Sequence, residues 1–247
     1  MHNIKLWSPN NKKTNLYKFI NQLDKNLNIK NYDDLHNWSI KHKNEFWSNV
    51  WDFTNFVGEK KGKIFKSAPE FTKNKFFDEC KINYAENCLT REDDDDSIIF
   101  HSEKKIKRNY SWRELRSSVF KFANYLKNNN VKKNDRIAAI LPNIPETVIS
   151  FLSTAQLGAI WSSCSSDFGK KAIIDRFKQI EPKVLLFSDY YFYNNKKVDT
   201  TKIIKDVVYN IPSIEKIILI PYEFNETDYQ LDFCLLYTSP SPRDREK

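Results

Sequence analysis

Hydrophobic and polar positions change period repeatedly along this chain, most sharply between Arg136 and Phe187. Arg136-Ile137-Ala138-Ala139-Ile140-Leu141 is a short, largely apolar run, the form of a strand buried on both faces. A helical period follows. Asn143 is placed to cap it, Pro145 is tolerated in its first turn, and Glu146 suits the positive end of the helix dipole. Val148, Phe151, Leu152 and Ala155 form the predicted apolar stripe, and Gly158 stops the helix in a left-handed cap. Ala159-Ile160-Trp161 leads back into the sheet, and Ser162–Gly169 reads as a polar turn at that strand's carboxyl end. A second helix over about Lys170–Ile180 buries Ile173, Ile174 and Phe177; Glu181-Pro182 ends it, and Val184-Leu185-Leu186-Phe187 enters a third strand. Two successive crossovers imply a parallel sheet covered by helices, with right-handed connections and ligand crevices outside the carboxyl ends of the strands.

The flanking periods extend the picture. Thr14–Ile29 predicts a short amphipathic helix with Leu16, Phe19, Ile20, Leu23 and Leu27 on one side. Residues 32–56 carry Trp38, Phe46, Trp47, Trp51 and Phe53 largely at helical spacing, a packing surface rather than a cofactor box. The acidic run Glu92-Asp93-Asp94-Asp95-Asp96 reads as a solvated boundary loop. Beyond it, Ser97–Phe100 begins a strand, 104–108 is a hairpin-like turn region, and Ser111-Trp112-Arg113-Glu114 is a capping box. The helix it starts carries Leu115, Val119, Phe122, Ala123 and Leu126 and frays at Asn128-Asn129-Asn130. Thr201–Tyr209 reads as helix and Lys216–Ile220 as strand. The fold class is therefore α/β: an amino-terminal helical cap over residues 1–92, then over 97–233 part of a parallel-sheet domain with helices on both faces. Residues 234–247 have turn-rich composition and no apolar period. Leu236–Asp244 resembles an adaptor-derived peptide of environmental sequence, so this tail is read as unstructured and non-native, and the protein as continuing past about Phe233 in other sequence.

Composition narrows the function classes. The uncharged window 147–166 has membrane-spanning length, but nine of its 20 residues are Ser, Thr or Gln, so a buried helix followed by a buried strand explains it better. A chain of 247 residues with 40% hydrophobic and 15% aromatic content is globular. Its net charge of +8 comes from lysines scattered among Asn, Asp and Glu without a basic stripe, which argues against nucleic acid as the main partner. Cys80, Cys88, Cys164 and Cys234 have neither CxxC spacing nor a histidine at metal-ligand spacing, and residues 1–13 contain no apolar signal core; a cytoplasmic, reducing setting follows.

Ordered motifs carry a family resemblance. They are Leu6-Trp7-Ser8-Pro9, Leu35-His36-Asn37-Trp38-Ser39, Phe46–Phe53, Asn83-Tyr84-Ala85-Glu86-Asn87, Val131–Arg136, Leu141–Glu146, Gly158–Ser165, Asp167-Phe168-Gly169 and Arg176–Val184. Over about residues 4–223 the chain resembles the amino-terminal part of the acetoacetyl-CoA synthetase (acetoacetate–CoA ligase) family, within the AMP-forming acyl-adenylate ligases. Trp161-Ser162-Ser163-Cys164 separates it from acetyl-CoA synthetase. Two departures stand out: Ser166 where the family usually has proline, and Asn195 in place of a glycine, the least costly substitute if positive φ is required.

The resemblance implies that acetoacetate attacks the α-phosphate of ATP and that the CoA thiol then displaces AMP, with Mg2+ assisting. The 97–233 segment would be the first part of the adenylating domain. Gly58, Gly62, Gly158 and Gly169 are too dispersed to cradle a triphosphate, and the family's phosphate loop and catalytic lysine are absent from this sequence. No catalytic residue or metal ligand is assigned, and the chain alone is expected to be inactive. By resemblance, Ser166, Asp167, Phe168, Lys196 and Lys197 are expected CoA contacts, with at most weak CoA binding by this segment. Read from the residues alone, Asp167 caps the following helix and the lysines are solvated. The implied partners are acetoacetate, ATP, CoA and the remaining carboxy-terminal part of the same enzyme, with no nucleic acid and no membrane span. The rival readings are another short-chain acyl-CoA synthetase, acting on acetate or propionate, and a non-catalytic module that binds CoA or a partner.

Overall fold

The computed structural model describes residues 13–104, 106–223 and 234–238. The expectations placed on Leu6–Pro9 and on residues 239–247 lie outside the described residues. The chain divides into two compact units, Met1–Ile82 and Asn83–Lys247. The division thus falls ahead of the acidic run at 92–96.

The first unit holds α1 (Asn15–Gln22), α2 (Tyr32–Lys41), α3 (Lys43–Phe53) and a small antiparallel pair, β1 (Phe65–Lys66) with β2 (Lys75–Phe76). The single helix expected over 14–29 is shorter. Thr14 caps α1, Leu23 turns extended, and the Asp24 side chain caps a separate 3-10 turn over Lys25–Leu27, which leaves Leu16 and Leu27 exposed. The aromatic run of 32–56 is two helices, broken at His42 by a non-helical backbone. Phe19, Ile20, Leu23, Leu35 and Trp38 form their shared core, with Phe46, Val50 and Phe53 packed against it.

The second unit begins with α4 (Tyr84–Cys88). Asn83 caps it and also donates from Nδ2 to the carbonyls of Ala155 and Gln156. The hairpin β3 (Asp96–His101) and β4 (Lys107–Ser111) follows, then α5 (Trp112–Asn128). The expected capping box is present: Ser111 Oγ accepts from the Glu114 amide, and the Glu114 carboxylate accepts from the Ser111 amide. The chain continues through β5 (Arg136–Ile140), α6 (Pro145–Gln156), β6 (Ile160–Cys164), α7 (Lys170–Ile180) and β7 (Val184–Ser188). A second hairpin, β8 (Tyr190–Tyr193) with β9 (Lys196–Asp199), precedes α8 (Thr201–Asn210), β10 (Lys216–Ile220) and β11 (Cys234–Thr238).

The sheet runs β11-β10-β7-β5-β6, and β10, β7, β5 and β6 are mutually parallel. Its strands feed two cores by alternation. Ile137, Ala139, Val184, Leu186, Ile218 and Ile220 join the cluster packed by α5 and α6. Ala138, Ile140, Leu185, Phe187 and Ile217 join the one packed by α7 and α8. Each fully buried Ile or Leu side chain contributes about 2 kcal/mol by leaving water. Helices therefore cover both faces, as the apolar runs predict.

Local expectations were corrected in three places. Asn143 does not cap α6: the cap position is Ile144, and Thr147 Oγ1 instead donates to the Pro142 carbonyl at 2.7 Å. The buried arc of α6 is wider than the predicted stripe, taking in Ile149, Ser150, Leu152, Ser153 and Thr154 while Val148 faces solvent. α6 packs against α4 and α5 as well as the sheet, and small hydroxyl residues permit that close approach; Ser153 Oγ lies 2.9 Å from the Val119 carbonyl oxygen. Third, Cys234–Thr238, in the tail expected to be unstructured, pairs antiparallel with β10, which otherwise presents an open sheet edge.

Gly158 ends α6 as expected, with φ +67° and the Ala159 amide reaching back to the Thr154 carbonyl. An added Cβ would sit 3.2 Å from Lys133 Cγ on top of the left-handed strain. Gly158→Ala is therefore expected to destabilise the chain by about 1–2 kcal/mol, measured by urea denaturation; a change within error would exclude that role.

Candidate functional site

Counting strands from β5, the sheet order is 2-1-3-4, and the connections leave β5 and β7 in opposite directions. In open sheets of this kind the switch point, at the strands' carboxyl ends, is the usual place for a ligand. Three polar devices hold this edge together. Glu146, 1% exposed at the start of α6, takes a bidentate pair from Arg108 of β4 (2.6 and 3.0 Å) and a third bond from the Tyr110 hydroxyl (3.2 Å). Burial, together with the adjacent Glu146 charge, pushes the Tyr110 hydroxyl up to about 12. Asp189 Oδ1 accepts from the amides of Tyr190 and Tyr222 (3.0 and 2.9 Å), tying the ends of β7 and β10 together. Thr200 Oγ1 donates to the Ser188 carbonyl, fixing the start of α8 to the same edge.

The polar turn after β6 is shorter than expected, because Ser162, Ser163 and Cys164 remain in the strand. Ser166 is 6% exposed and its hydroxyl has no hydrogen-bond partner among the described residues. Asp167 is exposed and does not cap α7; the cap position is Gly169, without a side-chain bond. Phe168 packs against the α7–α8 core with the Arg176 guanidinium 4.7 Å from its ring centre. Beside this turn, burial pushes the Cys164 thiol up to about 11, which leaves it protonated and unreactive near neutrality. An added Cβ at Gly169 would meet nothing within 4 Å, so open space adjoins the turn.

Lys196 and Lys197 are exposed at the start of β9, and Lys197 Nζ lies 3.6 Å from the Tyr190 ring centre. Burial and the neighbouring Glu223 push the Tyr190 hydroxyl up to about 12. No hydrogen bond or ion pair joins the 166–168 turn to these lysines among the described residues. Burial, and after it the charge of Asp167, raises the Tyr191 hydroxyl on the hairpin that carries the lysines. Asn194 and Asn195 both adopt left-handed φ, 48° and 61°, so Asn195 does occupy a glycine-like conformation.

Sequence reasoning missed the Arg108–Glu146–Tyr110 group. Arg108 was placed in a turn, and nothing in the pattern signalled that a charged residue at a helix start would be buried. Among the described residues no cluster of three or more His, Cys, Asp or Glu stands ready to hold a metal ion, and the two positive-φ glycines, Gly62 and Gly158, serve separate turns. The described residues thus offer no ready-made holder for a magnesium ion or a triphosphate. No described helix is long and apolar enough to cross a membrane.

Residues 86–238 match the AMP-binding enzyme family. The chain is 37% identical over 191 residues to an acetoacetyl-coenzyme A synthetase of Rhizobium meliloti, covering 77% of this chain and 29% of that protein. It is 35% identical to the acetoacetyl-CoA synthetase of Xenopus tropicalis, covering 88% and 33%. The solved acetoacetyl-CoA synthetase from Streptomyces lividans superposes with a TM-score of 0.78 at 28% identity, over 87% of this chain and 35% of that one. The chain spans about a third of the length of the curated relatives it matches.

Replacing Arg108 by alanine strands the buried Glu146 carboxylate. Arg108→Ala is expected to cost about 3–5 kcal/mol, read by chemical denaturation; a loss below 1 kcal/mol would show that Tyr110 and water suffice for Glu146.

Proposed function

We propose, from the premise that the chain belongs to the AMP-binding enzyme family, that it is the amino-terminal part of an acetoacetate–CoA ligase. The complete enzyme would convert acetoacetate, ATP and CoA to acetoacetyl-CoA, AMP and pyrophosphate, in the cytoplasm. The observation that carries this reading is the 35% identity to an acetoacetyl-CoA synthetase along 88% of the chain. Free thiols at Cys80, Cys88 and Cys164 are in keeping with a reducing setting. Among the described residues there is neither a triphosphate cradle nor a metal cluster, and we read the chain alone as inactive, with ATP and Mg2+ held by the remaining carboxy-terminal part.

What this segment contributes, on the same reading, is a wall for CoA. The buried, unpartnered Ser166 hydroxyl supports it, since such a group loses about 1–3 kcal/mol until something bonds it. Asp167 stands free at the mouth, Phe168 is held from behind by Arg176, and Lys196 and Lys197 offer point charges to phosphate. A second reading, a ligase for another short acid, is favoured by 26% identity over 84% of the chain to a malonamoyl-CoA synthetase of Penicillium aethiopicum.

Two measurements on the completed enzyme test these assignments. Pyrophosphate–ATP exchange is expected to depend on acetoacetate; equal or faster exchange with acetate, propionate or malonamate would replace the first reading by the second. The double variant Lys196→Ala/Lys197→Ala is expected to raise KM for CoA about three- to tenfold, with KM for ATP held. An unchanged value would remove both lysines from the CoA site.

A further inference from the structure

The β3–β4 hairpin lies at the carboxyl edge of the sheet and is held at its turn and in the strand beside it. Close to its turn, Arg108, paired with Phe100 in the ladder, grips Glu146, and its guanidinium carbon lies 5.1 Å from the Phe100 ring centre. At its tip, Ser102 Oγ lies 3.1 Å from the Tyr222 hydroxyl, and Lys104 Nζ lies 5.8 Å from the Phe192 ring centre. The outermost contact is made by Glu103, whose Oε2 accepts the Asn195 backbone N–H at 2.8 Å across 92 residues of sequence. Asn194 and Asn195 form the whole turn between β8 and β9, and a two-residue turn leaves amides outside the strand ladder. A carboxylate that accepts such an amide makes a short, charge-assisted bond. Glu103 sits beside Lys104 yet forms no ion pair among the described residues; its charge is spent on the turn instead.

We propose that Glu103 is a positioning residue for CoA binding. By pinning the Asn195 amide it fixes the turn from which Lys196 and Lys197 leave, and the Arg108–Glu146 anchor makes the hairpin stiff enough to do so. Lys196 is the next residue along the chain, so a shift of the turn moves its ammonium directly. Lys197 is steadied from the other side by the Tyr190 ring. The inference rests on the CoA reading of the two lysines given above.

Glu103 is exposed, so its replacement leaves the folded core intact. In the chain itself, amide hydrogen exchange at Asn195 is expected to quicken at least about fivefold in Glu103→Ala, and to stay near the parent rate in Glu103→Gln, whose amide oxygen still accepts. In the completed enzyme, Glu103→Ala is expected to raise KM for CoA about three- to tenfold, with kcat and KM for ATP held, and Glu103→Gln to restore most of the loss. Adding Glu103→Ala to Lys196→Ala/Lys197→Ala is expected to raise KM no further. Unchanged exchange at Asn195 in Glu103→Ala overturns the contact. Quickened exchange with unchanged KM for CoA, where the double lysine variant does raise it, overturns the positioning role alone. If the lysine variant leaves KM for CoA untouched, the CoA reading fails first and the inference falls with it.

Discussion

The structure depends on β5 having no face left for water. Ile137, Ala138, Ala139 and Ile140 are all fully buried, and they alternate between two separate cores. A parallel strand in that position needs a helical layer on each side, because parallel neighbours are joined only by crossovers. The α5–α6 and α7–α8 layers answer that need. Once both faces are covered, exposed polar chemistry is confined to the two edges where strands end. Alanine at 138 and 139, the smallest side chains in the strand, lets both layers approach closely at the centre of the sheet.

At the carboxyl edge the same constraint becomes a problem of polar satisfaction. Glu146 starts α6 directly after β5 and is dragged into the interior with it. The fold answers with three hydrogen bonds from the β3–β4 hairpin. Asp189 meets the equivalent demand after β7 by accepting two amides. Ser166, after β6, is the contrast, since its buried hydroxyl finds no partner among the described residues. Three strand ends thus carry three polar groups, Glu146 and Ser166 buried and Asp189 half-buried, and only Ser166 is left unmet. That asymmetry is why the turn after β6, rather than either neighbour, draws the ligand reading.

Much of this scaffold was legible in the sequence, and the reasons it was are physical. Strands buried on both faces have to be continuous apolar runs, so β5, β7 and β10 were visible by composition alone. The capping box at Ser111 and the stop at Gly158 are local backbone devices, and local devices survive tertiary context. The stripe of α6 drawn from its apolar residues alone is too narrow, because Ser153 and Thr154 bond backbone carbonyls and pack inward as small residues. The break at His42 was invisible for the opposite reason, since aromatic side chains keep helical spacing through it. Least legible was the candidate site. Its turn could be placed by family likeness, but the bonds that fix its surroundings, Arg108 to Glu146 and Glu103 to Asn195, join residues 38 and 92 positions apart. No periodicity encodes such separations.

The four glycines show how the work of this segment is divided. Gly62 and Gly158 are required by left-handed backbone, and an added Cβ at Gly58 would stand 2.8 Å from Ile82. Those three belong to the architecture. Gly169 alone has ordinary φ and open space around it, so nothing in the local fold demands a glycine there. It stands at the start of α7, where the first turn carries no acidic residue and the amides have no side-chain cap. A bare, positive helix end next to an unmet serine hydroxyl favours an anionic or hydrogen-bond-accepting group over a cation. A side chain at position 169 would occupy the open space beside that turn.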